Sequence, residues 1–426
     1  MPLEAQTEQI ADQNYRTSWY TVTPNRLMAT LGALGGEINC DVCVIGAGFT
    51  GISAAYEFSQ KGYSVILLEA KNLLDSATGK NGSHLLRGYQ ISPDNMAKKY
   101  TPAGARMLCN LTLEGLALIV ERIARHDIKC DLKFGHVTAA LYREDVSSLT
   151  DRIKAWGQLG HTDLQYISAK DIPAYIDSKK YVGGLYDPKG AHFHPLNYAL
   201  GVLQTAQAAG CKIYDETPVH EITQGATVRV RTQTGAVNAK FVVLSGHIRI
   251  PGIPKLSKKI IPAAMPMLAT QPLGTKIAGK ILPKGTGVTD TCSIMNYFNL
   301  SHDGRLLFGS VCPNIDLQKR MTALFPDLKG IAIAHRWDNP MDFTLNRMPH
   351  FGRLADNIFY AHGYCGQGVI LGNLAGKLMA EAVSGTAERF DVFAGIRHLS
   401  IPGGDSFKKR MLAFGMAWHR LQDSLL

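Results

Sequence analysis

Asp41-Val42-Cys43-Val44-Ile45-Gly46-Ala47-Gly48-Phe49-Thr50-Gly51 joins an apolar run to a glycine-rich turn. A short apolar run led by Cys40 ends in glycines spaced Gly46-x-Gly48-x-x-Gly51, and the following Ile52, Ala55, Tyr56 and Phe58 suit one helix face up to Gln60. Gly62 stops that helix, and Ser64 to Leu68 reads as a second buried strand ending at Glu69. Strand, turn, helix and strand imply a parallel pair with a right-handed crossover. Glycine permits the tight turn and lets backbone approach a pyrophosphate, whose charge then rests on the helix N-terminus. Glu69, 18 residues beyond Gly51, stands where a carboxylate can accept hydrogen bonds from a ribose diol. Glycines serving only helix packing would leave Glu69 unexplained. The unit therefore reads as dinucleotide-binding, with Phe49, Thr50 and Ala70 in the same contact zone.

The architecture recurs further along. Leu196 to Ala209 is an amphipathic helix followed by the strand candidates Cys211 to Tyr214, Val219 to Ile222, Val228 to Thr232 and Phe241 to Leu244. Ile358 to Ala361 then leads through glycines into a helix over Gly368 to Val383. At 426 residues the chain exceeds what one core usually serves. The predicted fold class is α/β, passing to α+β in its second part: a Rossmann-like cofactor-binding domain built from discontinuous segments, plus a mixed-sheet substrate domain. The cofactor domain takes 36–86, 196–250 and 340–395, and the substrate domain 87–195 and 251–339. An N-terminal arm (1–35) and a C-terminal extension (396–426) complete the chain, which has no internal repeat.

Composition narrows the function classes. With 46% hydrophobic and 19% charged residues, the chain is a globular enzyme and not a disordered one. No window reaches the roughly 18 to 20 apolar residues of a membrane span, and Leu27 to Leu34 is too short and broken for a secretory signal. Eight scattered cysteines fit a reducing cytoplasm and no disulfide framework. Cys40 and Cys43, three apart in a strand, should face opposite sides and share no metal. The net charge of +10 admits nucleic acid, membrane or anionic ligands. The densest basic groups, Lys255 with Lys258 and Lys259, and Lys408 to Arg410, lack interleaved aromatics, so a solvated face and no nucleic-acid partner are expected.

FAD and NAD share the first unit, and two further glycine clusters favour FAD. Ala77-Thr78-Gly79-Lys80-Asn81-Gly82-Ser83-His84 follows Glu69, and Gly363-Tyr364-Cys365-Gly366-Gln367-Gly368 opens the last helix. A helix N-terminus there would set backbone donors beside a reduced flavin's anionic ring. An NAD domain has no need of so distant a third segment.

On these residues the chain resembles the D-amino acid oxidase family of flavoproteins, from about Ser18 to Phe407. The strings Tyr181-Val182-Gly183-Gly184, His192-x-His194-Pro195-Leu196-Asn197, Arg305 to Gly309 and Ala387-Glu388-Arg389-Phe390-Asp391 carry the likeness beyond the generic glycine motif. The resemblance implies noncovalent FAD, with ribose on Glu69, adenine on the backbone of Val219, and Ser245-Gly246 near the diphosphate. It implies that Lys80, Asn81, Gly82, Ser83 and the turn Gly366, Gln367, Gly368, Val369 surround the flavin ring. Lys80, Ser83 and His84 depart from the Arg, Gly and Gln common in this subgroup.

Family members that oxidise α-amino acids generally carry an arginine a few residues after the tryptophan of the stretch reading Trp337-Asp338-Asn339-Pro340-Met341 here. A guanidinium grips a carboxylate through two charge-assisted hydrogen bonds, and methionine offers none. The expected substrate is an amine remote from its carboxylate, such as a gamma-glutamylated diamine, with His84, Tyr297, Met341 and Gln367 as substrate-binding candidates. Tyr297 and Phe298 could form an aromatic wall or pack in the core. His84 could touch the substrate or bond the flavin, and Cys365 reads as a small buried residue. The expected reaction is hydride transfer from the amine-bearing carbon to the flavin, then imine hydrolysis to an aldehyde, with oxygen or another electron acceptor completing the cycle; oxygen gives hydrogen peroxide. A secondary amine or cyclic imino acid (sarcosine, pipecolate) is the alternative substrate. An electron-transfer or nucleic-acid-binding flavoprotein subunit is the alternative class.

Overall fold

The computed structural model describes residues 17–26, 28–73, 77–246, 253–402 and 407–408. Residues 1–16 and 27 of the expected arm and 403–406 and 409–426 of the expected extension, with Lys409 and Arg410, lie outside these residues. In chain order the elements begin with α1 (Trp19–Val22), β1 (Gly36–Ile45), α2 (Phe49–Gln60), β2 (Val65–Leu68), β3 (His84–Leu85), α3 (Pro93–Lys99) and α4 (Pro102–Arg125). They continue with β4 (Lys133–Ala140), α5 (Arg143–Gln158), β5 (Gln165–Ile167), β6 (Gly183–His192), α6 (Pro195–Ala208), β7 (Lys212–Tyr214), β8 (Val219–Thr223), β9 (Val228–Thr232) and β10 (Gly235–Leu244). Then come α7 (Pro254–Ser257), β11 (Ile261–Thr270), α8 (Gly274–Ile281), β12 (Gly287–Asp290), β13 (Asn296–Leu300), β14 (Leu306–Ser310), α9 (Leu317–Leu324) and β15 (Ile333–Phe343). The last are β16 (His350–Ala355), β17 (Ile358–His362), α10 (Gly368–Val383) and α11 (Glu388–Ala394).

Two sheets organise the chain. The first runs β16-β17-β10-β1-β2-β7, with β9 on β10 and β8 on β9. Its strands from β17 to β7 are mutually parallel. Helices cover parallel strands on both faces, so β2 is buried along its whole length and β1 at its last four residues. Helices α2 and α10 cross where Gly376 allows it: a Cβ there would lie 2.4 Å from the Ala54 amide nitrogen. The second sheet is nine-stranded and mixed, ordered β15-β11-β14-β13-β12-β4-β6-β3 with β5 on β6. Phe298, Phe308 and Phe325 pack one face of it against α8 and α9.

Most strands and helices expected after Glu69 form close to their predicted ends, but β10, expected from Phe241, begins at Gly235, and the second sheet takes more chain than the spacing suggested. Strand β15 runs through residue 340, so Met341 belongs to the second sheet and pairs with Ala263; His84 pairs with His192 in that sheet as well. Long strands pair wherever a partner edge extends, and composition does not mark that limit. The cysteine expectation also changes. The amides of Asp41 and Val42 both donate to Ser64 O, an irregularity that turns the strand and leaves Cys40 and Cys43 packing on the same cluster. Both are free thiols. Helix α4 corrects the membrane reading. By length and composition alone it is apolar enough to cross a membrane, although half of its most apolar window is buried in the fold. Gly115 seats it on α10, where a Cβ would come 2.8 Å from Ile370 Cγ2.

Candidate active site

The carboxyl ends of β1, β2 and β10 meet at the first glycine turn. Gly46 has φ +102°, and a Cβ there would lie 2.9 Å from Ser245 O and 3.0 Å from Gly246 Cα. At Gly51 a Cβ would stand 1.8 Å from Gly46 O, a distance no side chain can occupy. Ser245 Oγ fixes the junction by donating to the carbonyls of Ile45 (2.8 Å) and Gly46 (2.9 Å). The Glu69 carboxylate accepts from the amides of Ala47 (2.7 Å) and Lys71 (3.1 Å), with Ala70 exposed between. The Thr217 amide donates to Glu69 O at 2.8 Å and so brings the start of β8, Val219, to the same edge. A backbone cradle, a helix N-terminus and a carboxylate at the next strand end are the donor and acceptor set that a diphosphate and a ribose require, so the residues present fit FAD.

The second and third glycine clusters are joined to the first. Phe49 N donates to Thr78 Oγ1 (3.1 Å), and Thr50 Oγ1 bonds Tyr364 OH (2.6 Å). Asn81 folds its own loop, donating from Nδ2 to Thr78 O (2.7 Å) and accepting the Ser83 amide at Oδ1 (2.8 Å). Lys80 O accepts Trp337 Nε1 at 2.9 Å. Ser83 sits at φ +66°, which explains why glycine suits this position, and its Oγ accepts from Asn299 Nδ2 at 2.7 Å. Across from this loop, Gly366 (φ +87°) and Gln367, the N-cap of α10, lead into Gly368 and Val369. The Met341 sulfur and the Gln90 side-chain amide each stand 3.8 Å from a Cβ built at Gly366. Met341 and the turn therefore share one wall.

Tyr297 fills the layer between two glycines: Cβ atoms at Gly82 and Gly309 would lie 2.8 and 2.4 Å from its ring. Burial pushes its phenol well above the ordinary range. Phe298 points the other way and stacks on Phe308 at 5.5 Å, so the aromatic wall is Tyr297 alone. Cys365 is buried, and burial pushes its thiol up; its Sγ accepts the Thr344 amide at 3.3 Å, so it offers no ready thiolate.

His84 has two companions that motif reading missed. Its ring lies 5.4 Å from that of His136, and His192 faces it across the β3–β6 pair. Both ring nitrogens of His84, Nε2 of His136 and Nδ1 of His192 have no hydrogen-bond partner among the described residues. Burial, then nearby His192, pulls His84 down to about 3; burial, then Lys133, pulls His192 to about 4; burial puts His136 well below its usual value. All three are neutral at pH 7. The string His192-x-His194 was visible in sequence, but only the strand pairing turns one of its histidines toward His84. His192 also borders a cleft of about 360 Å³ with Trp19, Tyr20 and Asn299. Among the described residues no group of three or more His, Cys, Asp or Glu side chains is arranged to hold a metal ion.

Comparison with known proteins agrees with this geometry. The family model of FAD-dependent oxidoreductases, DAO, matches residues 41–382. The chain is 35% identical over 423 residues to gamma-glutamylputrescine oxidoreductase of Escherichia coli (strain K12), covering 96% of this chain and 99% of that protein. It is 35% identical to the probable oxidoreductase OrdL of Haemophilus influenzae, covering 90% and 92%. Glycine oxidase from Geobacillus kaustophilus shares the fold with a TM-score of 0.72 at 21% identity, over 85% of this chain and 100% of that one. The chain belongs to the DAO family of FAD-dependent oxidoreductases.

Proposed function

We propose that this enzyme oxidises the primary amine of a gamma-glutamylated diamine, with gamma-glutamylputrescine as its model substrate. The observation that carries the reading is Met341, whose sulfur stands beside the Gly366 turn, on the stretch after Trp337 where the family resemblance implies an arginine in enzymes acting on α-amino acids. The likeness to the Escherichia coli enzyme supports it.

FAD, when bound, supplies the acceptor for the hydride that leaves the amine-bearing carbon. The protein's task is to deliver that carbon with a neutral nitrogen. An alkyl ammonium near pKa 10.4 costs roughly 4.6 kcal/mol to deprotonate at pH 7, at 1.36 kcal/mol per unit. A wall of Met341 and Tyr297 offers no counterion, and desolvation against such surface lowers an amine's pKa without a dedicated base. His84, neutral, can accept a hydrogen bond from the amine but cannot keep its proton at pH 7. The imine product hydrolyses to an aldehyde, and oxygen as final acceptor yields hydrogen peroxide.

Met341→Arg tests the reading. It should weaken the glutamylated amine more than α-amino acids in flavin-reduction assays, because a cation then lies where the reacting amine must sit. A variant with unchanged substrate ranking would remove Met341 from the cleft and take the substrate assignment with it.

A further inference from the structure

Arg152 is a charged residue in an unusual setting. On α5 it lies between Leu149 and Trp156, both buried, at i−3 and i+4, so the guanidinium extends from the helix face that packs on the second sheet. It is half-buried and makes no hydrogen bond or salt bridge among the described residues, yet lies within electrostatic reach of His136, Arg87 and Asp187. The nearby carboxylates are committed elsewhere. Arg87 holds Asp187 through Nε (2.6 Å) and Nη2, and Asp163 through Nη1 (3.0 Å) and Nη2 (2.9 Å); Lys189 shares Asp163 at 3.3 Å. Three cations thus share two carboxylates, and the surplus falls on Arg152.

A second observation points to the same place. Gly287 is ringed by imidazoles: a Cβ there would lie 3.3 Å from His136, 3.5 Å from His84 and 3.6 Å from His192. His136 and His192 are 3% and 4% exposed, and each keeps a ring nitrogen with no partner among the described residues, as is true of both ring nitrogens of His84. Buried polar atoms are nearly always hydrogen-bonded, so such a group marks a ligand's place. Neutral imidazoles can donate to an anion, and a guanidinium supplies the opposing charge.

We propose that Arg152, His136 and His192 bind the carboxylate at the far end of the substrate, with His84 between this site and the reacting amine. The proposal rests on the gamma-glutamylated amine reading and deepens it: the arginine absent at position 341 is replaced by one that serves a carboxylate remote from the reacting carbon. Free putrescine, whose second ammonium would meet a cationic group here, is excluded by the same arrangement.

Binding without turnover separates the two claims. The FAD-loaded enzyme is titrated with N-butyl-gamma-L-glutamide, which carries the glutamyl head but lacks the terminal amine, and with N-butylbutanamide, which lacks the α-carboxylate and the α-ammonium as well. Perturbation of the flavin spectrum and calorimetry report affinity. Wild type should bind the glutamide, Arg152→Gln should bind it about 10- to 100-fold more weakly, and Arg152→Lys should fall between. Butanamide should bind all three alike. Equal glutamide affinity in wild type and Arg152→Gln, or no glutamide binding by wild type, overturns the site. His136→Gln, expected to lose affinity in the same direction, guards against a folding defect confined to the arginine variants, and flavin content and Tm are recorded for each protein. Glutamide binding lost in Arg152→Gln while gamma-glutamylputrescine leaves the flavin oxidised in wild type would keep the carboxylate site and sink the amine reading alone.

Discussion

The first glycine turn and the histidine layer of the second sheet are both built for ligands, but they satisfy their polar atoms differently. In the turn the protein closes on itself: Glu69 already holds the Ala47 and Lys71 amides, and Ser245 spans Ile45 and Gly46. In the histidine layer, ring nitrogens of His84, His136 and His192 stay unmatched within the described protein. A cradle that is complete without ligand is pre-organised for one invariant shape, the diphosphate. A layer left incomplete depends on the ligand for its hydrogen bonds and so discriminates among ligands, because a poor one leaves buried groups unpaired.

The contrast can be broken most forcefully at Gly51. Gly51→Ala puts a Cβ against Gly46 O and should cost about 3 kcal/mol or more of stability together with flavin binding, read by Tm and the flavin-to-protein absorbance ratio. A yellow variant of normal Tm would show that the cradle is not closed as described. Next in size, Glu69→Ala should weaken FAD by about 1.5 to 3 kcal/mol, measured by titrating apoenzyme with FAD, and should leave substrate ranking untouched. Unchanged affinity removes Glu69 from the site.

The histidine layer gives a smaller effect with its own pH signature. His84 and His192, held near 3 and 4 mainly by burial, take up fewer protons folded than unfolded below about pH 6.5. Their stabilisation is full above about pH 6.5 and declines as pH falls toward 3. Thermal unfolding should therefore shift to lower temperature across that window, and His192→Gln should flatten the slope. An equal slope in the variant would place His192 in contact with solvent. Ser83→Gly should change least: it relieves a left-handed backbone and loses the Asn299 bond, two terms of about 1 kcal/mol and opposite sign. A large loss of Tm would mean that the Asn299 bond anchors the flavin loop.

The same division explains what could be read from sequence. Gly46, Gly48, Gly51 and Glu69 are legible because a turn, a helix start and the next strand end lie within 24 residues, and local backbone geometry fixes them. Met341 became informative only through the resemblance. His136, His192 and Arg152 were illegible as a group: they come from β4, β6 and α5, and only the register of the mixed sheet brings them together. Likewise the ten-residue β1, read as beginning at Asp41, starts at Gly36, because pairing with β10 extends it through polar positions that show no apolar run.

Anaerobic flavin bleaching by a panel of amines tests the central claim most directly. Gamma-glutamylputrescine should reduce the wild-type flavin faster than glycine, D-alanine, sarcosine, pipecolate or free putrescine, with absorbance restored when air is admitted. Faster bleaching by any α-amino acid would contradict it.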